Sequence, residues 1–506
     1  MVSQILTLAL TGLEAKPVQV EAQVTGGEFG IYVVGLPSGA VRESRERVRG
    51  AFHGLGLSMP PKRITINLSP ADITKDGSHY DLPIAVGILA ALGIVPTDAC
   101  DGMAVMGELG LDGSIRSVNG CLPAAIAAAG LGLRGFICPA ANAGEAAWAG
   151  GAMGVYGFDT LNQLIRHLRG DEVVAAARPS AQGAAVGVDT GRDLRDIRGQ
   201  ETAKRVAEIA AAGGHHLLMS GPPGSGKSML AARLPGLLPP LSATEALEIS
   251  MIHSVAGTLG STAGGAGLIS QRPFRDPHHS ASPVALTGGG MKAKPGEMSL
   301  AHRGVLFLDE LPEFPRQVLE TLRQPLETGT ITISRANHHI TYPARFQLIA
   351  AMNPCPCGYL GDPAKGCKKQ SMCGAEYQAK LSGPLLDRFD LKIAVPAVKA
   401  TDLSLPPAKD GTAEVAARVA RARALQTQRY GGKVVCNAEL QGALMDEFCP
   451  LDGESRALLN TAADKMGLSA RGYHRVIRVA RTLADLEEAA DIRRGHLVEA
   501  LGYRVG

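Results

Sequence analysis

Gly221-Pro222-Pro223-Gly224-Ser225-Gly226-Lys227-Ser228 fits the phosphate-binding pattern G-x-x-x-x-G-K-[ST] at every fixed position. The apolar run Leu217 to Met219 before it reads as a strand, and Met229 to Arg233 after it reads as a helix. In that context successive backbone N–H groups and the helix N-terminus attract phosphate oxygens. Lys227 is placed to reach the β- and γ-phosphates of ATP, and the Ser228 hydroxyl to ligate Mg²⁺. The loop predicts an α/β domain that binds nucleotide. It does not say what the nucleotide energy drives.

Working outward, Gly304 to Leu308 is an apolar run ending in Asp309 and Glu310. A buried strand there delivers Asp309 to hold Mg²⁺ and Glu310 to polarise an attacking water. A second apolar run, Phe346 to Met352, ends in Asn353. Asn353 is expected to orient the lytic water, against the alternative of a turn-forming Asn before Pro354. Arg388, in Leu385-Leu386-Asp387-Arg388-Phe389-Asp390, suits an arginine finger offered to a neighbouring subunit. The alternative is an Arg paired with Asp387 or Asp390. Arg471 opens a late helix shared with Arg475 and Arg478. It reaches a γ-phosphate from a lid, or all three form a solvated basic face.

The 506-residue chain has room for about three domains. Residues 1–170 alternate strand-like runs (Val18 to Val24, Arg63 to Leu68) with helical ones (Ser38 to Leu55, Leu82 to Leu92, Leu122 to Ala129), a first α/β block. Residues 171–192 read as a linker. Residues 193–396 alternate strands and helices as a parallel sheet does. Residues 397–506 carry helical periodicity in Glu414 to Arg429, Glu439 to Phe448, Gly453 to Met466, Ala470 to Ala490 and Gly495 to Leu501. A net charge of +3 is too small to argue for nucleic acid by itself. No apolar run is long enough to span a bilayer, and no signal peptide is visible, so a cytoplasmic protein is expected.

Gly329 to Tyr342 alternates apolar and polar residues around a polar centre, a β-hairpin signal. Arg335, Asn337, His338 and His339 either touch a nucleic-acid backbone or decorate an ordinary surface hairpin. His278 and His279 are ligands or part of a structural turn. Cys355, Cys357, Cys367 and Cys373 lie within 19 residues and match tetrahedral Zn²⁺, with free or redox-sensitive thiols as the alternative.

These stations, in this order and with a helical block last, resemble the AAA+ ATPases over residues 193–506. That resemblance implies ATP and Mg²⁺, a ring that is usually a hexamer, and sites shared between subunits. The hairpin resembles the pre-sensor hairpin of the branch that holds magnesium chelatase motors and replicative MCM helicases. In the first block, Lys75-Asp76-Gly77-Ser78-His79 and Gly107-Glu108-Leu109 resemble the proteolytic domain of Lon proteases. His79 stands where that family has its nucleophile and Leu122 where it has its lysine, so the resemblance implies an inactive scaffold. Ser78 is expected to be a turn or helix-capping residue. The whole combination, with Phe274 to Ser282 and Leu381 to Arg388, resembles the ComM/YifB family of magnesium chelatase-like proteins. That implies a DNA motor for branch migration during recombination and natural transformation, with DNA and further copies of the chain as partners. Two other outputs stay open, metal chelation and protein remodelling.

Overall fold

The structure is a computed structural model that describes residues 2–179, 191–262, 267–290, 293–335, 338–360, 370–398, 400–404, 406 and 408–504. In the first block alternating burial builds strands β1 (Val2–Thr11), β2 (Glu14–Thr25), β3 (Gly30–Val34), β4 (Arg63–Ser69) and β5 (Met103–Val105). A short antiparallel pair follows, β6 (Glu108–Leu109) with β7 (Ile115–Arg116), then β8 (Gly135–Pro139) and β9 (Gly154–Phe158). Seven of these form one mixed sheet in the order β3-β4-β2-β1-β5-β8-β9. The helix Asp81–Ala91 is buried at every position, which its nearly unbroken apolar sequence requires.

The second sheet consists of β10 (Leu217–Ser220), β11 (Phe274–Arg275), β14 (Val305–Leu308), β17 (Gln347–Met352) and β18 (Leu391–Ala394). Between them lie two antiparallel pairs, β12 (Gly288–Gly289) with β13 (Lys294–Pro295) and β15 (Thr330–Arg335) with β16 (His338–Pro343). The order is β11-β14-β17-β10-β18, and every neighbouring pair is parallel. Both faces are buried. Leu217, Met219, Val305, Phe307, Ile349 and Ile393 join one core, and Leu218, Leu306, Leu308, Leu348 and Ala350 the other. That is why these strands read as unbroken apolar runs. β10 lies between β17 and β18, so its C-terminal end has strand ends on both sides.

The C-terminal segment is helical: Thr412–Tyr430, Ala443–Phe448, Gly453–Met466, Ala470–Leu486 and Arg494–Gly502. Two expected helices differ from the sequence reading. Glu439 to Phe448 is split into a turn at Asn437–Glu439 and a shorter helix, because Gly442 adopts a positive φ of 53°. Ala470 to Ala490 stops at Leu486, before Glu488 takes a positive φ of 54°. The helix expected from Met229 to Arg233 runs instead from Lys227 to Ala231 and gives way to a 3₁₀ turn containing Pro235. Among the described residues no helix is long and apolar enough to cross a membrane.

Candidate nucleotide site

β10 hands the chain directly to the phosphate loop. A Cβ on Gly221 would stand 2.2 Å from the Val395 carbonyl oxygen, so the loop passes β18 only as glycine. Gly226, with φ of 88°, turns the chain into the helix that starts at Lys227. Gly224 and Gly226 have open space where side chains would stand. Pro222, Pro223 and Ser225 complete the loop, with Ser225 buried beneath it.

The Lys227 ammonium donates to the carbonyls of Gly221 (2.8 Å) and Pro222 (2.9 Å) and to Ser225 Oγ (3.3 Å). It also reaches Asn353 Oδ1 at 3.4 Å. Burial lowers its pKa, against the pull of Asp309 and Glu310. Ser228 Oγ donates to Asp309 Oδ2 at 2.6 Å. The ends of β10, β14 and β17 therefore bring Lys227, Ser228, Asp309 and Asn353 into one connected set. Two oxygen donors side by side, a buried cation and an open glycine loop suit a small hard cation with phosphates.

Glu310 is half-exposed and holds a left-handed backbone, with φ of 52°. Its carboxylate lies 3.3 Å from His279 Nδ1. His278 instead meets Ser280 Oγ at 2.8 Å, within a turn. β11 pairs with β14, so Asp276 at its tip stands near Asp309; burial, and then Asp309, raise the Asp276 pKa. Sequence reading gave Asp276 no role and did not pair His279 with Glu310. A two-residue strand gives no periodicity by which to place its tip beside another strand's.

Arg388 is buried, and its guanidinium bonds Glu327, not Asp387 or Asp390. Arg471 is exposed and lies 3.7 Å from the same Glu327 carboxylate. One acid thus gathers both arginines. The solvated-face alternative fails for the other two: Arg475 and Arg478 are largely buried and pair with Asp390 at 3.1 and 3.4 Å. His215 also approaches Asp390, at 3.5 Å. Burial alone would raise the Asp390 pKa, but Arg478 and His215 outweigh it and hold the carboxyl well below the usual range.

Cys355 is buried with its Sγ 3.1 Å from that of exposed Cys357, and Cys373 is half-buried in the helix Gln370–Gln378. Cys367 lies outside the described residues, as does Asn337. Among the described residues no three His, Cys, Asp or Glu side chains form a metal-holding group, so a four-thiolate zinc site finds no support. The hairpin pairs Thr330 with Pro343 through to Arg335 with His338, and His339 Nδ1 meets Ser334 Oγ at 3.0 Å.

In the first block Ser78 is a turn residue, as one of the two expectations had it, and not a helix cap. Gly77 holds the cap position of the turn Ser78–Tyr80, and the Ser78 hydroxyl donates to the Glu108 carboxylate. His79 is buried, meets the Leu8 carbonyl at 3.1 Å, and is pushed down to about 4 by burial. Lys75 is fully buried and its ammonium donates to the Pro70 carbonyl. Leu122 is fully buried against residues of the second block.

Residues 193–403 match the family described as magnesium chelatase, subunit ChlI. Residues 20–142 match subunit ChlI of Mg-chelatase, and residues 409–504 match the ChlI C-terminal family. The chain is 45% identical to a Salmonella typhimurium protein named uncharacterized protein YifB, over 98% of this chain and 96% of the relative. It is 45% identical to the competence protein ComM of Haemophilus influenzae, with the same coverage of both. It is 43% identical to uncharacterized protein YifB of Escherichia coli, again over 98% of this chain and 96% of the relative.

Proposed function

This chain belongs to the ComM/YifB family of magnesium chelatase-like proteins, and from that premise we propose that it is an ATP-driven, ring-forming DNA motor. Its output is branch migration and unwinding in homologous recombination and natural transformation. The competence name of one relative supports the setting. The observation that carries the motor chemistry is the contact set of Lys227, Ser228, Asp309 and Asn353.

ATP is held by the N–H groups of Gly224 to Ser228 and by Lys227, which exchanges loop carbonyls for phosphate oxygens. Ser228 and Asp309 are the residues that would hold Mg²⁺, which would supply neutralisation of the phosphate charge. Glu310 accepts a proton from the attacking water, and Asn353 fixes that water's position. Arg388 and Arg471, gathered by Glu327, face the neighbouring subunit's nucleotide and stabilise charge in the transition state. The hairpin β15–β16 then follows the DNA backbone, so binding weakens with salt and is largely indifferent to sequence.

The test is ATP turnover with and without single-stranded DNA, alongside strand separation on a forked duplex. Stimulation and strand movement are expected. Absence of both would reject the DNA reading and favour the second one, a chelatase-like or protein-remodelling motor, which the three chelatase-family matches support.

A further inference from the structure

Among the described residues the first block meets the motor at roots of the insertions around the nucleotide site, and two of these places stand out. Leu122 packs with Ile249, Leu259, Leu268 and Ile269. Ile249 lies on the helix Ala243–Ala256, which leads into the segment carrying β12 and β13. The Gly120 N–H donates to the Ser254 carbonyl at 3.0 Å, and the Leu122 N–H to Ser254 Oγ at 3.4 Å. The Ser254 hydroxyl also pulls down the pKa of the buried Glu145 carboxyl, against its desolvation. Past the end of that helix, a Cβ on Gly257 would meet the Asn119 side chain at 2.7 Å, so the two surfaces are in full contact.

The second place is the β1–β2 turn. A Cβ on Gly12 would stand 2.6 Å from Ile340 of the hairpin strand β16. Beside Ile340, Tyr342 is buried, and its hydroxyl donates to the Ala293 carbonyl at 3.0 Å. Ala293 directly precedes β13, whose Lys294 ammonium lies 3.5 Å from the Ala256 carbonyl. The helix, the β12–β13 segment and the hairpin are therefore tied to one another, and the first block touches the assembly at both ends.

We propose that the first block is a bracket for the motor's insertions. The segment Asn119 to Leu122, where the Lon resemblance would place a catalytic lysine, is the docking surface for the helix Ala243–Ala256, and the Gly12 turn is the stop for the hairpin. Motion of the hairpin then reaches the motor against a fixed support, and the response to DNA depends on the bracket while basal hydrolysis does not. The DNA part rests on the function proposed above; the bracket itself does not.

The experiment compares the full chain with Leu122→Lys and with the milder Ser254→Ala. Turnover is read with and without single-stranded DNA, and backbone hydrogen exchange is followed at residues 243–256 and 338–343. For Leu122→Lys, basal turnover should stay within about twofold. Stimulation by DNA should fall at least about fivefold, and exchange should rise in both segments. Ser254→Ala should move the same way by less, and it decides the matter if Leu122→Lys also loses basal turnover. Undiminished stimulation with unchanged exchange overturns the bracket. If DNA does not stimulate the unaltered chain, the DNA reading has failed, and exchange alone judges the bracket: a rise at 338–343 upholds it, no rise overturns it.

Discussion

Lys227 and Lys75 both follow a bend in the chain, and burial pushes both pKa values down. Their surroundings separate them. Lys227 sits beneath an open glycine loop, with Asp309 and Glu310 near enough to oppose its desolvation. Lys75 has no exposed surface, and its ammonium is held by the Pro70 carbonyl. The neighbouring His79 is sealed against Leu8. A buried amine becomes chemically useful only where space for a ligand and acids across that space accompany it. By that measure the second block is the one proposed to hold a site, and the first is proposed as a support.

The comparison breaks first at the subunit boundary. Arg388→Ala should reduce turnover by about 10³-fold, and mixing it with Lys227→Ala subunits should restore hydrolysis at sites where each supplies its intact half. Failure to complement would place both groups in one chain's site. Glu310→Gln should retain ATP binding while turnover drops about 10²-fold or more; normal hydrolysis by that variant would falsify its assignment as the base.

The next test concerns the first block and pH. His79 has a folded-state pKa of about 4 against an ordinary value of 6.5. Between those values the unfolded chain binds a proton that the folded chain does not. Stability is therefore complete above pH 6.5 and falls as pH drops toward 4, by about 3 kcal/mol over the window. His79→Gln should flatten the melting temperature of this block across that range. An unchanged pH slope would mean that His79 is not the group responsible. The smallest effect expected is that of Lys75→Met on ATP turnover, within about twofold of the unaltered chain. A collapse of turnover with the melting temperature preserved would give the first block a chemical part in the cycle.

How much of this was legible in the sequence follows from the range of each contact. β10, β14 and β17 were readable because parallel strands buried on both faces are apolar throughout. The residues at their ends came with them, and so did most of the C-terminal helices. Glu327 was not legible as the partner of Arg388, because the two stand 61 residues apart and no local pattern joins them. Arg478 meeting Asp390 spans 88 residues, so no local pattern separates this buried ion pair from a solvated basic face. The His279–Glu310 approach depended on a strand too short to show. Leu122 read as a lost lysine, and its packing against Ile249 appeared only in three dimensions.

β18 has one further consequence. Arg388 lies three positions before this four-residue strand, and Val395, just beyond its other end, presses on Gly221. The Val395 N–H also donates to the Ser220 carbonyl at 2.7 Å, and the strand is paired along β10. The same short rod thus carries the cation proposed for a neighbour's nucleotide and braces the loop proposed for its own. In the ring proposed above, such a rod would act like the spoke of a ratchet, joining each pocket mechanically to the next.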